Sequence, residues 1–230
     1  QGAEAIHLII EPTGGYEAQL VSEAYRRKWR VSLVNPLTVR HWQQGQGQRG
    51  KADHLDTMML TLFGVDKNPA AQQPTDEAAA QLDSLLRRQS DLELLLRSEG
   101  NRLQQATLNP NQPKAVLESI QRTIESLETE LVAMQKAMQQ LFKEQVELAR
   151  QLKQLYTVPG IGKKSAPHLL ALFHRFKAKT NGSGTAKQIV AFVGLDPQPY
   201  QSGSSVHRRP TISKQGDAPM RSRLYFCALG

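Results

Sequence analysis

Between residues 117 and 155, apolar side chains recur in alternating steps of three and four: Leu117, Ile120, Ile124, Leu127, Leu131, Met134, Met138, Leu141, then Leu148, Leu152 and Leu155. Gln145 alone interrupts the series, so eleven of its twelve positions are apolar. A period of 3.5 residues held this long draws one continuous apolar seam along a helix, and a solitary helix cannot keep such a seam from water. A partner stands upstream. Residues 76–106 carry Leu82, Leu85, Leu92, Leu96 and Leu103 on one side, and the turn Asn109-Pro110-Asn111-Gln112-Pro113 separates the two stretches. The pattern predicts a long antiparallel coiled-coil hairpin. Its plainest role is that of a spacer; a seam of this length also offers an oligomerisation surface, for a homodimer or tetramer.

The segments on either side have a different grammar. Residues 5–10 form a short apolar run, residues 16–29 an amphipathic stretch with Leu20, Val21 and Ala24 inward, and residues 31–34 a second apolar run ended by Asn35-Pro36. Strand, helix and strand in that order predict a parallel α/β unit. A Gln/Gly-rich loop follows over 43–50, a helix over 51–63, and a polar linker over 64–74. Beyond the hairpin, Pro159-Gly160-Ile161-Gly162-Lys163-Lys164 precedes an apolar helix from 169 to 173. Further helices are expected around 186–193 and over 218–229, with a loop carrying Ser202 between them. The organisation expected is an α/β domain over 1–70, the helical hairpin over 71–156, and a mainly α-helical domain over 157–230.

The charge lies at one end. Residues 150–230 hold thirteen Lys and Arg against two Asp and Glu, a net of +11, whereas the preceding 149 residues have a net of −3. A stretch so basic suits a polyanionic partner, of which nucleic acid is the commonest. Cys227 is the single cysteine, which excludes an internal disulfide and a cysteine-built zinc site. With no spanning apolar run, the chain is expected to have no membrane partner and to work in a reducing, cytoplasmic compartment.

Three acidic residues are candidates for metal binding. Glu11 follows the first strand, and Asp53 and Asp56 lie three apart at the start of a helix, on one face. Convergent carboxylates hold hard cations such as Mg²⁺; the simpler account is that both aspartates favour the positive end of their helix. Lys163 and Lys164 flank a glycine turn that would let backbone amides approach a phosphate. Ser202 is a glycine-flanked hydroxyl among cations, although Ser204, Ser205 and Ser213 are close enough that spacing does not choose between them. Arg208, Arg209, Lys214, Arg221 and Arg223 could clamp phosphates or form a solvated face.

Taken in order, these stretches resemble a known family: the DEDD transposases of insertion sequences, related to Piv-type DNA invertases and known as bridge-RNA-guided recombinases. The resemblance to a RuvC-like, RNase H-like domain is carried by Glu11-Pro12-Thr13-Gly14, Asn35-Pro36 and Lys51-Ala52-Asp53-His54-Leu55-Asp56. That to a serine-bearing transposase domain is carried by residues 158–162, Ala191-Phe-Val-Gly-Leu-Asp-Pro197, Gln201-Ser202-Gly203, Ser213-Lys-Gln-Gly216 and residues 221–225. It implies that Glu11, Asp53 and Asp56 are three of four metal-binding acids, that Ser202 is the nucleophile, and that a bridge RNA pairs with donor and target DNA. The family's first acidic residue belongs to a strand upstream of Glu11 that this sequence does not contain, so the chain is expected to be part of a longer protein. Two rival functions stand beside a recombinase: a RuvC-like nuclease or resolvase using metal-activated water, and a non-catalytic nucleic-acid-binding scaffold.

Overall fold

A computed structural model describes residues 6–47, 53–202 and 206–229, with side chains except at 53–55, 199–202 and 206–208. The described residues are mostly helical, and the chain divides into two compact units, 1–74 with 176–184, and 75–175 with 185–230.

In the first unit, β1 (His7–Ile10) and β2 (Arg30–Leu33) pair in parallel, His7 opposite Arg30 and Ile10 opposite Leu33. Parallel neighbours need a crossover, and α1 (Ala18–Arg26) provides it. Strand alternation sorts the side chains into two layers. Leu8, Ile10, Val31 and Leu33 pack with Val21, Ala24 and Tyr25 of α1. Ile9 lies with Val39 and Trp42 of α2 (Pro36–Gly45) and with Leu60 and Phe63 of α3 (Asp53–Lys67). The α/β expectation thus holds in a sandwich of helix, sheet and helix. Helix α2 departs from the sequence expectation, in which Asn35-Pro36 only ends a strand. In the structure the Asn35 side chain accepts from the Leu37 amide at 2.9 Å, and Pro36 takes the first helical position, where its missing N–H costs nothing.

In the second unit, α4 (Glu77–Leu108) and α5 (Lys114–Glu144) are joined by the turn over 109–113. Leu82 and Leu86, near the start of α4, share a cluster with Met138 and Leu141, near the end of α5, so the two helices run antiparallel. The seam does not continue as one helix. Gln145 has φ −105° and ψ 82°, outside helical space, and α6 (Val146–Tyr156) begins after it. The one polar position in the apolar series is therefore where the helix bends. Leu148 and Leu152 of α6 then join Leu82 and Leu141 and meet Ala166, Leu170 and Ala171 of α7 (Ala166–Lys179). Leu169 and Leu172, also of α7, pack with Val193 of α8 (Ala186–Val193) and Met220 of α9 (Ala218–Leu229). Arg175 bridges the same elements, 3.6 Å from Asp83 on α4 and 3.1 Å from Asp217, which caps α9 by accepting from the Met220 amide.

The segment expected as a loop around Ser202 is an antiparallel hairpin instead, β3 (Pro197–Ser202) with β4 (Val206–Ile212). Pairing is irregular between Gln198 and Tyr200, where β3 supplies Pro199 and β4 supplies Arg209 and Pro210. Neither proline has an amide hydrogen to give to the ladder, which explains the bulge and why the sequence did not read as strand.

Gly64 sets how closely α3 approaches β1: a Cβ there would lie 2.7 Å from Ile9 Cγ1. Helix propensity alone favours alanine by about 1 kcal/mol, but overlap against a β-branched strand residue costs about 1–3 kcal/mol. Gly64→Ala should lower the thermal unfolding midpoint, and Gly64→Val should lower it further. A raised midpoint would show that α3 stands away from the sheet.

Candidate nucleic-acid-processing site

The acidic candidates belong to the first unit. β1 and β2 are parallel, so the segments that leave their carboxyl ends, Glu11 to Gly15 and Asn35-Pro36, emerge on the same edge, the usual place for chemistry in such sheets. The turn after β1 is tied down locally: the Glu17 carboxylate accepts from the amides of Thr13 at 2.9 Å and Gly15 at 3.1 Å. Gly14 and Gly15 adopt φ of 70° and 106°, which a side chain would resist. Glu11 is half-buried, and its carboxyl is held above the usual range, first by burial and then by the negative charge of Asp56. The structure therefore places Glu11 within the field of Asp56, from the first turn of α3. Asp53 opens that helix, but its side chain lies outside the described residues. Among the described residues, no group of three metal-ligating side chains assembles. Two carboxylates that repel each other form an oxygen-only pair whose repulsion a divalent cation would relieve, and to that extent the residues present fit a metal of the Mg²⁺ type.

The serine candidate belongs to the second unit. The Ser202 backbone is the last residue of β3, opposite Val206, and Ser204 and Ser205 lie outside the described residues. At the other end of the hairpin, sequence motifs interlock. Gly194 ends α8 in the left-handed conformation, φ 79°, with the Leu195 amide bonded back to Val190 O at 3.0 Å. The Ser213 hydroxyl donates to the Asp196 carboxylate, and the Ser213 amide donates to Asp196 O at 2.9 Å. Lys214 N–H reaches Gly194 O at 3.0 Å, and Arg221 Nη1 donates to Val193 O at 2.9 Å.

The expected phosphate-binding cations are thus in different situations. Lys163, Lys164, Arg209 and Lys214 are exposed; Lys214 is also held at φ 57°. Arg221 is half-buried and committed at one nitrogen to Val193 O, and the Arg208 side chain is outside the described set. A cleft of about 420 Å³ between α4, α7 and α9 holds His168, pushed down to about 4 by burial and then by Arg223. The other charges there are largely paired, Arg87 with Asp83 and Arg175 with Asp217, so the cleft joins helices. Sequence reasoning missed the partnership of Asp196 with Ser213. Its signal was present in two Gly-containing motifs, Gly194-Leu195-Asp196 and Ser213-Lys214-Gln215-Gly216, which flank one short segment.

Comparison with known proteins is consistent with this geometry. Residues 1–113 match the DEDD-type IS110 model described as "Transposase", and residues 152–230 match the "Transposase IS116/IS110/IS902 family". The class is that of insertion-sequence transposases. The chain belongs to the IS110/IS116/IS902 transposase family. Among its relatives are the pilin gene-inverting proteins of Moraxella lacunata, 31% identical, and Moraxella bovis, 32% identical, each over 226 residues. These alignments cover 97% of this chain and 66% of each relative, so the chain spans just under two thirds of their length.

The carboxylate pair has a direct test. Because Asp56 raises the Glu11 carboxyl, Asp56→Asn should bring it down, as followed by the side-chain carboxyl ¹³C shift across an acid titration. Added Mg²⁺ should lower it in the unsubstituted protein too. A Glu11 titration indifferent to Asp56→Asn would separate the two carboxylates.

Proposed function

We propose that this chain carries the catalytic parts of a site-specific DNA recombinase that cuts and rejoins DNA through a phosphoserine intermediate. On this reading residues 1–70 are a RuvC-like, RNase H-like domain, residues 71–156 a coiled-coil hairpin, and residues 157–230 the serine-bearing domain. The observation that carries it is the joint presence of two elements in one chain. One is an acidic pair at the carboxyl edge of a parallel sheet; the other is a serine at the end of a hairpin in a segment of net charge +11. The family match supports DNA as substrate and a divalent cation as cofactor, and the gene-inverting relatives support strand exchange over plain hydrolysis.

Glu11, Asp53 and Asp56 would hold Mg²⁺, which when bound supplies positive charge to the phosphate oxygens and an acidified oxygen nucleophile. Ser202 Oγ would give up its proton and form a bond to a backbone phosphorus of DNA, the scissile P–O bond would break, and the departing deoxyribose oxygen would take up a proton, so that the step consumes no net proton. The phosphoserine ester keeps the bond energy needed for rejoining. Lys163, Lys164, Arg208, Arg209, Lys214 and Arg221 would oppose the phosphate charge of the DNA. Unactivated serine is a weak nucleophile, so Ser202 would need a base or a metal ion to activate it. A bridge RNA is the proposed guide that pairs with donor and target DNA.

The test uses the complete protein with Mg²⁺, RNA and DNA. Ser202→Ala should abolish strand cleavage and the covalent protein–DNA adduct, and should leave DNA affinity within a few-fold, since one hydroxyl contributes about 1 kcal/mol. Ser204→Ala and Ser205→Ala should remain active. Cleavage retained by all three variants would replace the serine mechanism with hydrolysis by metal-activated water.

Assembly is tested separately. Leu117, Ile120, Ile124, Leu127, Leu131 and Met134 remain only half-buried in the single chain, which leaves seam area for another copy. Leu127→Lys with Leu131→Lys should reduce the sedimentation mass without unfolding the α/β unit. An unchanged mass would mean that α4 alone satisfies the seam.

A further inference from the structure

An isolated two-stranded hairpin is barely stable in water. The β3–β4 hairpin is weaker than most, because Pro199 and Pro210 remove amide hydrogens and the register shifts between Gln198 and Tyr200. Something else must fix where its Ser202 end points. We propose that Asp196 and Ser213 are positioning residues: they form a latch that closes the open end of the hairpin and sets the position of Ser202 for strand cleavage. The proposal rests on the reading of Ser202 as nucleophile, and one arm of its test does not.

Several independent contacts converge on the latch. Asp196 immediately precedes β3 and Ser213 immediately follows β4, so their bond ties the two strand ends together across the stem. The tie is doubled by the Ser213 amide to Asp196 O, at 2.9 Å. Both residues are half-buried, which protects a hydroxyl-to-carboxylate bond from competition by water. The Ser213 oxygen also accepts from the Gln215 amide at 3.4 Å, so the same side chain shapes the turn leading to α9.

The latch is in turn anchored to the helices. A Cβ at Gly194 would lie 2.8 Å from the Gln215 nitrogen, and one at Gly216 would lie 2.6 Å from Phe192 O. In both cases the obstruction is backbone, which cannot rotate away. Only glycine at each position allows the end of α8 and the turn after β4 to touch in this way. Arg221 on α9 donates to Val193 O, and Asp217, at the start of α9, pairs with Arg175 on α7. The stem of the hairpin is thereby referred to α7, α8 and α9, and its register at Asp196 and Ser213 determines where residue 202 falls. A displacement on the order of 1 Å at a reacting group can cost about 100-fold in rate.

The experiment compares Asp196→Ala, Ser213→Ala and the hydroxyl-retaining Ser213→Thr in the complete protein. Three quantities are read: amide hydrogen exchange of 197–202 and 206–212, the rate of covalent adduct formation at saturating DNA, and DNA affinity. The two alanine variants should speed exchange in the hairpin and leave α4 and α5 amides protected. They should slow adduct formation by about 10- to 100-fold, while affinity changes by less than about 3-fold, below the loss of one ordinary hydrogen bond. Ser213→Thr should restore both hairpin protection and rate. Unchanged hairpin exchange in the alanine variants would overturn the latch, as would a loss of protection that spreads through α4 and α5. An adduct abolished by Ser213→Ala with hairpin protection intact would instead make Ser213 the nucleophile. If the unsubstituted protein forms no adduct, the reading of Ser202 fails, and the exchange data alone still decide for or against the latch.

Discussion

The second unit depends on the apolar cluster in which Leu82, Leu86, Met138, Leu141, Leu148, Leu152, Leu170 and Ala171 meet. Four helices contribute, and each fully buried leucine is stabilising by about 2 kcal/mol relative to exposure. The bend at Gln145 makes this meeting possible: it turns the apolar face of α6 away from a straight continuation of α5, so that Leu148 and Leu152 reach α7. Leu155 and Ile161 touch both this cluster and the one around Leu172, Val193 and Met220, so the packing runs without a gap to the helices that hold the hairpin. A change that empties the cluster, such as Leu152→Ala, carries the usual cavity cost of about 2–5 kcal/mol and would be felt at the base of the hairpin.

The two halves of the proposed chemistry are built in different ways. The carboxylates depend on the register of a parallel sheet and on the approach of α3 that Gly64 permits. Glu11 rests on a glycine turn ordered by Glu17, and Asp56 on the first turn of a helix. The serine depends on a short hairpin whose strands are too irregular to stand alone and whose ends are tied by side chains and glycine backbone. A strand-end turn and the helix packed on the sheet hold one set and a latched hairpin the other, a division suited to a reaction in which one group must hold charge and the other must move onto a phosphate.

Much of this was legible in the sequence. The 3.5-residue period placed α4 closely and located the start of α5 but not its end, because a long amphipathic pattern has few other solutions, and the apolar runs around Leu8 and Val31 matched the parallel pair. The bend was marked by Gln145, though the series read as a single helix. What stayed hidden had physical reasons. Asn35-Pro36 serves equally to end a strand and to open a helix, and only the latter describes α2. The β3–β4 hairpin contains two prolines and little alternation, so propensity pointed to a loop. The pairing of Asp196 with Ser213 joins residues 17 apart, with no local pattern to announce it. That the charge of Asp56 acts on Glu11 follows from topology; spacing offered only that Asp53 and Asp56 share a helix face.

The central claim is that a serine at the end of the hairpin becomes covalently joined to DNA. The most direct measurement is peptide mapping of the trapped protein–DNA complex by mass spectrometry, after nuclease digestion to a residual nucleotide. The account predicts that the modified peptide contains residues 201–208 and that the nucleotide phosphate is on Ser202. No modified peptide despite cleaved DNA, or a nucleotide carried by any other residue, would contradict it.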